Sequence, residues 1–279
     1  MSAPGSFEAP ISGPARGVAP SAPGAGRCVA VVSGKGGVGK TNLAVNLAIA
    51  AAGLGQRVLL VDGDFGLSNV DVLLGLVPDR CVADVLAGRC SAEEALMDGP
   101  RGVRILPAAS GRLDLAGLAP RHLQALLRRI RRLADAFDLV LVDAGAGIGP
   151  SVVALSSLCD PILLVTTGEP TAVADAYATL KILHQSDPSR RLEVVVNSAA
   201  DELAARETHR HLARVADRFL DCQLFYRGFL PSDPRLVDAV ARQRAVVQAY
   251  PSARSSRRLI ELAAGLVRDG DRPRAGPES

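Results

Sequence analysis

The chain has 279 residues and a formal net charge of +3; 48% of its residues are hydrophobic and 22% are charged. These values predict a globular body with a sizeable core, and the charge is too small to imply a polyanionic partner by itself. Aromatic residues make up 3% and Trp is missing, which argues against aromatic stacking platforms for single-stranded nucleic acid.

Three patterns concern the cellular compartment. The sequence has no run of about 18 apolar residues, so we expect no membrane-spanning helix. The N-terminus lacks a basic start followed by an apolar stretch, so we expect no secretory signal. The five cysteines are odd in number and form no C-x-x-C pair, which disfavours a disulfide framework or a zinc cluster. A cytoplasmic location is expected.

The two ends of the chain differ in composition from the middle. Residues 1–26 are almost entirely Ala, Pro, Gly and Ser, and they bury too little apolar surface to offset the entropy of ordering. We therefore expect this segment, and the polar tail 269–279, to be disordered. Residues 27–268 are predicted to form one domain.

Within that domain, short apolar runs alternate with helical stretches. Strands are predicted at Cys28–Val32, Arg57–Val61, Val103–Pro107, Leu139–Val142, Ile162–Thr166, Leu192–Val196 and Leu224–Phe229. Helices are predicted at Lys40–Ala52, Pro120–Phe137, Pro150–Leu158, Thr171–Gln185, Asp201–Phe219, Pro234–Gln243 and Ser255–Val267. The alternation predicts an α/β fold, a doubly wound and mostly parallel sheet with helices on both faces. Ligands are then expected at the carboxyl ends of the strands.

A glycine-rich loop follows the first predicted strand. The segment from Gly34 to Thr41, GKGGVGKT, fits the pattern G-x-x-x-x-G-K-[ST] and leads into an apolar-periodic helix. Glycines let backbone N–H groups converge on phosphate oxygens, and the helix N-terminus adds partial positive charge. The pattern predicts that Lys40 reaches the β- and γ-phosphates of a nucleotide and that the Thr41 hydroxyl binds Mg²⁺.

Lysine is rare in this chain. Of the 32 basic residues, only Lys35, Lys40 and Lys181 are lysines, and the first two lie in the glycine-rich loop. A lysine ammonium is a compact point charge and an arginine is a planar fork, so the two are not interchangeable at a tight phosphate site. This distribution favours a functional reason for both loop lysines. No role is assigned to Lys181.

With Lys35 directly after the first glycine, the loop resembles the deviant phosphate loop of the MinD/ParA family of P-loop ATPases. The resemblance implies ATP and Mg²⁺ as ligands. It also implies that Lys35 reaches the partner's ATP in a nucleotide-sandwich homodimer, so that hydrolysis requires dimerisation. The phosphate-binding residues would be Gly34, Lys35, Gly36, Gly37, Val38, Gly39, Lys40, Thr41 and Asn42.

Two further segments resemble the family's switch regions. The first, Asp62-Gly-Asp64, follows the second strand; Asp64 there corresponds to the residue that positions the attacking water, although a helix-cap or loop role for this carboxylate stays open. The second starts at Asp143 and contains Gly145 and Gly147, which let the loop sense the γ-phosphate. The resemblance implies that Asp62 and Asp143 join Thr41 around Mg²⁺, the carboxylates through water. Lys35, Lys40 and Asp64 are the catalytic candidates.

Three later residues match positions that line the adenine base in this family. They are Asn197, which ends an apolar strand, and Pro231 and Asp233 in a following loop. An Asn at a strand end is also common without any ligand.

One branch of the family fits best, the flagellar number regulators of the FlhG (FleN) type. The shared segments are Gly66–Gly75, Glu169–Thr171, Asp175–Tyr177 and Ala239–Pro251. The resemblance implies a dimerising switch ATPase with slow, partner-stimulated turnover that controls the placement or number of flagella. It implies an FlhF-like GTPase, the flagellar basal body or a transcription regulator as partners. The D-Q-A-x-x-L-R motif that stimulates FlhF does not occur in residues 1–26.

The last predicted helix allows two interpretations. Leu259, Leu262, Ala263, Leu266 and Val267 form one apolar face, with arginines nearby. Such a helix could bind the inner face of a membrane peripherally through residues 255–268, because basic residues attract anionic lipid. It could equally be the last helix of the body.

Two alternative functions were weighed. A ParA-like ATPase that partitions DNA or other cargo would use the same chemistry and a basic surface, for which Arg242, Arg244, Arg254, Arg257 and Arg258 are available. Arg128, Arg129, Arg131 and Arg132 alternate with apolar residues at helical spacing, which indicates a solvated helix face. A non-catalytic binding module is disfavoured because both loop lysines and both switch aspartates are present.

Overall fold

The structure, a computed structural model, describes residues 26–65, 69–108 and 120–270. The predicted N-terminal disorder (except Gly26), most of the predicted tail and Gly66–Ser68 of the first switch segment lie outside these residues. Asp269 and Gly270, which were assigned to the tail, belong to the last helix.

The described chain alternates strands and helices. The first half contains β1 (Arg27–Ser33), α1 (Lys40–Gly53), β2 (Val58–Asp62), α2 (Val70–Leu74), α3 (Val82–Leu86), β3 (Met97–Asp98), β4 (Arg104–Leu106), α4 (Pro120–Ala134) and β5 (Leu139–Ala146). The second half contains α5 (Pro150–Ser156), β6 (Ile162–Thr166), α6 (Pro170–Ser186), β7 (Leu192–Ala199), α7 (Glu202–Leu220), β8 (Leu224–Pro231), α8 (Pro234–Ala241), α9 (Val246–Ala249) and α10 (Arg254–Gly270).

The strands form one eight-stranded sheet in the order β3-β4-β2-β5-β1-β6-β7-β8. Every neighbouring pair is parallel except β3 with β4. Apolar side chains on the two faces of the sheet build two separate cores, each covered by helices. The predicted fold class is therefore confirmed. Because β1 lies between β5 and β6, the chain reverses its direction of travel across the sheet there, which opens a crevice at the carboxyl ends of these strands.

All predicted strands and helices are present, with shifted ends. The elements that the sequence did not predict are short: α2, α3, α9 and β3 have two to five residues each. Such segments show no usable periodicity. They are specified by local contacts, as where the carboxylate of Asp84 accepts a hydrogen bond from the backbone N–H of Cys81 at the start of α3.

The arginines of α4 lie on its solvent face, and two of the arginines near the C-terminus form ion pairs. On α4, Leu126 and Ile130 are buried while Arg128 and Arg132 are exposed, which confirms a solvated helix face. Among the arginines proposed for DNA binding, Arg242 pairs with Asp238 of α8, and Arg258 pairs with Glu261 of α10 and Glu202 of α7.

The apolar face of α10 lies in the core. Leu259, Leu262, Ala263 and Leu266 are at most 8% exposed and belong to the same core as most of α1. A bilayer contact through this face would require α10 to leave the body, so the burial of this face supports the packing interpretation over membrane contact through residues 255–268. None of the helices among the described residues is long and apolar enough to cross a bilayer.

A pair of neighbouring residues on α10 tests this packing. Leu259→Ala removes a side chain that is 0% exposed, and we expect it to lower the free energy of unfolding by about 2–5 kcal/mol. Ile260→Ala, at a side chain that is 37% exposed, should cost far less because less apolar area leaves water on folding. Urea denaturation of both variants measures the difference. Equal costs would contradict the assignment of α10 to the core.

Candidate functional site

The predicted site residues gather at the carboxyl ends of five parallel strands. The phosphate loop follows β1, Asp62 ends β2 with Asp64 two residues later, and Asp143 lies on β5. Asn197 lies near the end of β7, and Pro231 ends β8. Parallel pairing places all these ends at one edge of the sheet.

The backbone of the phosphate loop requires glycine at two positions. Gly37 and Gly39 have φ values of 82° and 88°, in the left-handed region that favours glycine. At Gly34 the reason is space, because a Cβ atom would lie 2.1 Å from the carbonyl oxygen of Asp175 on α6. The loop is thus curved by two glycines and pressed against α6 at a third.

Gly39→Ala is expected to destabilise the loop. The left-handed backbone costs an L-residue about 1–2 kcal/mol, and the added Cβ would lie 2.3 Å from Nδ2 of Asn197. We expect a loss in the free energy of unfolding of about 1–3 kcal/mol, since displacing Asn197 also breaks its hydrogen bond to the loop. Gly36→Ala is the matched control, because a Cβ there meets no atom within 4 Å. Equal stability of the two variants in urea would contradict this account.

Lys40 is buried beneath the loop and paired with Asp143. Its side chain is 6% exposed, and its ammonium donates hydrogen bonds to Oδ1 of Asp143 and, over 3.3 Å, to the hydroxyl of Thr41. An ammonium group buried without an anion would be costly, so the carboxylate offsets that cost and holds Lys40 in place. The pair connects β5 directly to the start of α1.

Asp143 has one carboxylate oxygen in use and one left over. The residue is 0% exposed, and its Oδ2 accepts no hydrogen bond from any described residue. Burial raises the pKa of this carboxyl above its usual value, and the Lys40 ammonium opposes that shift. Asp62 lies beside it in the register of β2 and β5 and is also fully buried. Two buried carboxylates and the Thr41 hydroxyl form the oxygen-rich donor set that Mg²⁺ prefers.

The two switch segments touch each other. The N–H of Gly63 donates to the carbonyl of Asp143 over 2.8 Å, and the N–H of Asp64 donates to Oδ1 of Asp62 over 3.1 Å. Gly145 packs beside the backbone of Asp64, with φ 85°. Gly147, with φ 88°, donates its N–H to the carbonyl of Ser33 at the base of the phosphate loop. A change in the position of one segment would therefore act directly on the other.

Lys35 points away from the buried pair. Its side chain is 43% exposed, and its ammonium lies 3.4 Å from both Oε2 of Glu169 and Oγ1 of Thr171, at the start of α6. From the sequence, the segment Glu169–Thr171 was only part of a family resemblance and had no predicted role. The structure shows that it holds Lys35 at the mouth of the loop.

Asn197 supports the phosphate loop from below. Its Nδ2 donates to the carbonyl of Val38 over 2.7 Å, and its Oδ1 accepts from the N–H of Ser198 over 2.8 Å. Each end of the amide keeps one further hydrogen-bonding position. The amide lies against Gly39, so it is within the site whatever else it contacts.

Pro231 ends β8, the strand next to that of Asn197, and Asp233 follows it at the start of α8. Pro231 pairs with Ala199 in the register of β7 and β8. The carboxylate of Asp233 caps α8 through the N–H of Arg235 and also accepts from the N–H and hydroxyl of Ser255. Burial acts to raise the pKa of this carboxyl, but these hydrogen bonds outweigh it and the pKa is lowered. Asp233 thus fastens the start of α10 to the rim of the site.

One buried amide near the loop has no role predicted from the sequence. Asn46, 2% exposed on α1, donates to both the carbonyl and the Oδ1 of Asn42 and accepts from the N–H of Val247 over 3.2 Å. The side chain of Asn42, proposed as a phosphate ligand, is therefore bonded along the helix. The signal available in the sequence was a polar residue inside an apolar helix, one turn after the loop.

The site has a curved glycine loop after a strand, a buried lysine in that loop, and two neighbouring carboxylates where the strand order of the sheet reverses. These features define a P-loop nucleotide-binding protein. Comparison with known proteins gives the family. Residues 29–246 match the CobQ/CobB/MinD/ParA nucleotide binding domain, and the chain belongs to that family.

Individual relatives agree with this assignment. The chain is 46% identical over 228 residues to the antiactivator FleN of Pseudomonas aeruginosa, covering 82% of this chain and 81% of that protein. It is 30% identical over 240 residues to the flagellum site-determining protein YlxH of Helicobacter pylori, covering 86% and 81%. The septum site-determining protein MinD of Pyrococcus horikoshii, solved with Mg-ADP, superposes with a TM-score of 0.71 at 25% identity, covering 86% of this chain and 95% of that one.

Proposed function

We propose that this protein is an ATP-dependent dimerising switch ATPase that controls the placement or number of flagella. The proposal rests on the different positions of the two loop lysines. Lys40 is buried and paired with Asp143, whereas Lys35 is exposed at the mouth of the phosphate loop. We infer that Lys40 would act on a nucleotide bound to its own chain and that Lys35 would act on a second chain. The cellular role is supported by the similarity to FleN and YlxH.

ATP would bind in the loop from Gly34 to Asn42, with backbone N–H groups and the start of α1 facing the phosphates. Lys40 would exchange its contact with Asp143 for the β- and γ-phosphates. Mg²⁺ would be held by Thr41 and, through water, by Asp62 and Asp143; the unpartnered Oδ2 of Asp143 fits such a cation. Bound there, Mg²⁺ would neutralise charge on the phosphates.

Asp64 would orient the attacking water. It follows β2 at the carboxyl edge of the sheet, where its backbone lies beside Gly145 of the second switch segment. Positioning the nucleophile is most of what a protein contributes to phosphoryl transfer, because the reaction needs little covalent chemistry from it. Only one carboxylate would position the water, and Gly145 and Gly147 give the second switch segment no side-chain contacts at those positions. We therefore expect turnover to be slow until a partner orders that segment.

Lys35 would complete the active site of a second copy. In the single chain its ammonium is parked on Glu169 and Thr171, contacts of 3.4 Å to groups that are partly exposed. A phosphate of the partner's ATP would be a stronger anion than Glu169 in water. ATP would therefore stabilise the homodimer. Hydrolysis would weaken it, because hydrolysis removes negative charge from the partner's nucleotide that Lys35 would contact.

The adenine base would lie along Asn197, Pro231 and Asp233. Asn197 keeps one N–H and one lone pair beyond its bonds to Val38 and Ser198, enough to read a ring nitrogen or amine. Pro231 would supply an apolar surface. The carboxylate of Asp233 is fastened to Ser255, so adenine would meet the backbone around it.

The dimer would signal through the second switch segment. Residues 143–147 touch both the first switch segment and the phosphate loop, and they lead into α5. An FlhF-like GTPase, a basal-body component or a transcription regulator would read the ATP dimer, and peripheral membrane contact would come through such a partner and not through α10. We also propose a cytoplasmic location, which the sequence patterns predict.

The cellular role has a direct test. In its own cell, deletion of the gene should change the number or position of flagella, counted by electron microscopy, and the Asp64→Ala variant should fail to restore the normal pattern. Unchanged flagella together with chromosome or plasmid loss would contradict the flagellar role and favour the partitioning alternative.

A further inference from the structure

Two cysteines far apart in sequence meet at the edge of the sheet opposite the phosphate loop. Cys28 lies near the start of β1, and Cys159 lies in the turn between α5 and β6. Their sulfur atoms are 2.8 Å apart across a sequence separation of 131 residues. This is about 0.8 Å longer than a disulfide bond, so the two side chains are already within bonding reach.

The backbone holds the two residues together independently of the sulfur atoms. The N–H of Asp160 donates to the carbonyl of Cys28 over 2.9 Å, which ties the turn to the first strand. Arg190 fixes the turn from the other side, because its guanidinium donates to the carbonyls of Cys159 and Ser157 over 2.6 and 2.8 Å. The approach of the sulfur atoms is therefore a property of the fold.

We propose that Cys28 and Cys159 form a reversible disulfide, with a small-molecule disulfide as the oxidant. The Cys28 thiolate attacks one sulfur of the oxidant, breaks its S–S bond and releases one thiol. The Cys159 thiolate then attacks Sγ of Cys28, forms the Cys28–Cys159 bond and releases the second thiol. The two protons go to the two thiols released, and the two cysteines are oxidised as the oxidant is reduced.

The exposures of the two sulfur atoms fix this order. Cys28 is partly exposed and can meet an oxidant, whereas Cys159 is fully buried. Burial also raises the pKa of the Cys159 thiol well above its usual value, so Cys159 is the poorer first nucleophile of the two. Cys28 is thus the attacking residue and Cys159 the resolving one.

The bond would join the start of β1 to the end of the helix that follows the second switch segment. Because it closes a loop of 131 residues, it would remove much of the conformational entropy of the unfolded chain. We expect the thermal midpoint of the oxidised protein to rise on the order of 10 °C.

The test uses the full chain, reduced and then equilibrated in glutathione buffers of increasing oxidised fraction. We expect a loss of two hydrogens, a linked peptide containing Cys28 and Cys159, and a rise in the thermal midpoint that a reductant reverses. Cys28→Ser should abolish all three changes, while Cys90→Ser, at another partly exposed cysteine, should leave them intact.

Three results would overturn the proposal. One is a persistent glutathione adduct on Cys28 with no link to Cys159. Another is an unmodified Cys28 in buffers that modify Cys90. The third is the same rise in the thermal midpoint for Cys28→Ser. If Cys28→Ser does not fold, the linked peptide in the unsubstituted and Cys90→Ser chains decides the matter.

Discussion

Asp64→Ala is expected to lower kcat for ATP hydrolysis by about 10²–10⁴-fold while ATP binding is kept. The reason is positional: Asp64 lies at the end of β2 beside Gly145, whereas Lys40 and the loop backbone, which would hold the phosphates, do not depend on it. The variant should therefore accumulate as the ATP-bound dimer. Phosphate release and fluorescent-nucleotide titration measure the two properties separately.

Asp79→Ala is the matched control for this change, because Asp79 is an exposed carboxylate in the loop after α2 and outside the site. It should hydrolyse ATP at the normal rate. If Asp64→Ala retains turnover, Asp64 is a loop or cap residue and another group positions the water. If the unsubstituted protein also lacks turnover, the non-catalytic alternative gains.

Lys35→Ala is expected to abolish ATP-dependent dimerisation and to lower hydrolysis by about 10³–10⁵-fold, the range for a cationic group supplied in trans. Binding of ATP to the single chain should survive, because Lys35 contacts Glu169 and Thr171 at the mouth and not the buried Lys40–Asp143 pair. Light scattering with and without ATP measures the dimer.

Lys181→Ala is the control for charge and residue type, since Lys181 is an exposed lysine on α6. It should dimerise and hydrolyse normally. Loss of nucleotide binding by the Lys35→Ala chain itself would show that this lysine serves its own active site, against the proposed arrangement.

The framework of this molecule was accessible from the sequence because its signals are local. Continuous apolar runs predicted each long strand, and the glycine loop lies between β1 and α1 at the carboxyl edge of the sheet, as its position in the sequence predicted. The scarcity of lysine pointed to Lys35 and Lys40 before any contact was known.

What the sequence did not predict depends on contacts between distant segments. The apolar face of α10 suits a membrane or a core equally well, and only its packing in the core with α1 decides between them. The pairing of Lys35 with Glu169 joins residues 134 positions apart. The approach of Cys28 to Cys159 is equally invisible to spacing rules, which look for nearby cysteines.

The central claim, that Lys35 acts across a dimer, is tested most directly by mixing two inactive chains. Lys35→Ala keeps Asp64, and Asp64→Ala keeps Lys35, so a mixed dimer would contain one complete site only if Lys35 reaches the partner's ATP. We predict that the mixture hydrolyses ATP although neither variant does so alone. A mixture that stays inactive, although a tagged Asp64→Ala chain captures the Lys35→Ala chain in the presence of ATP, would contradict the account.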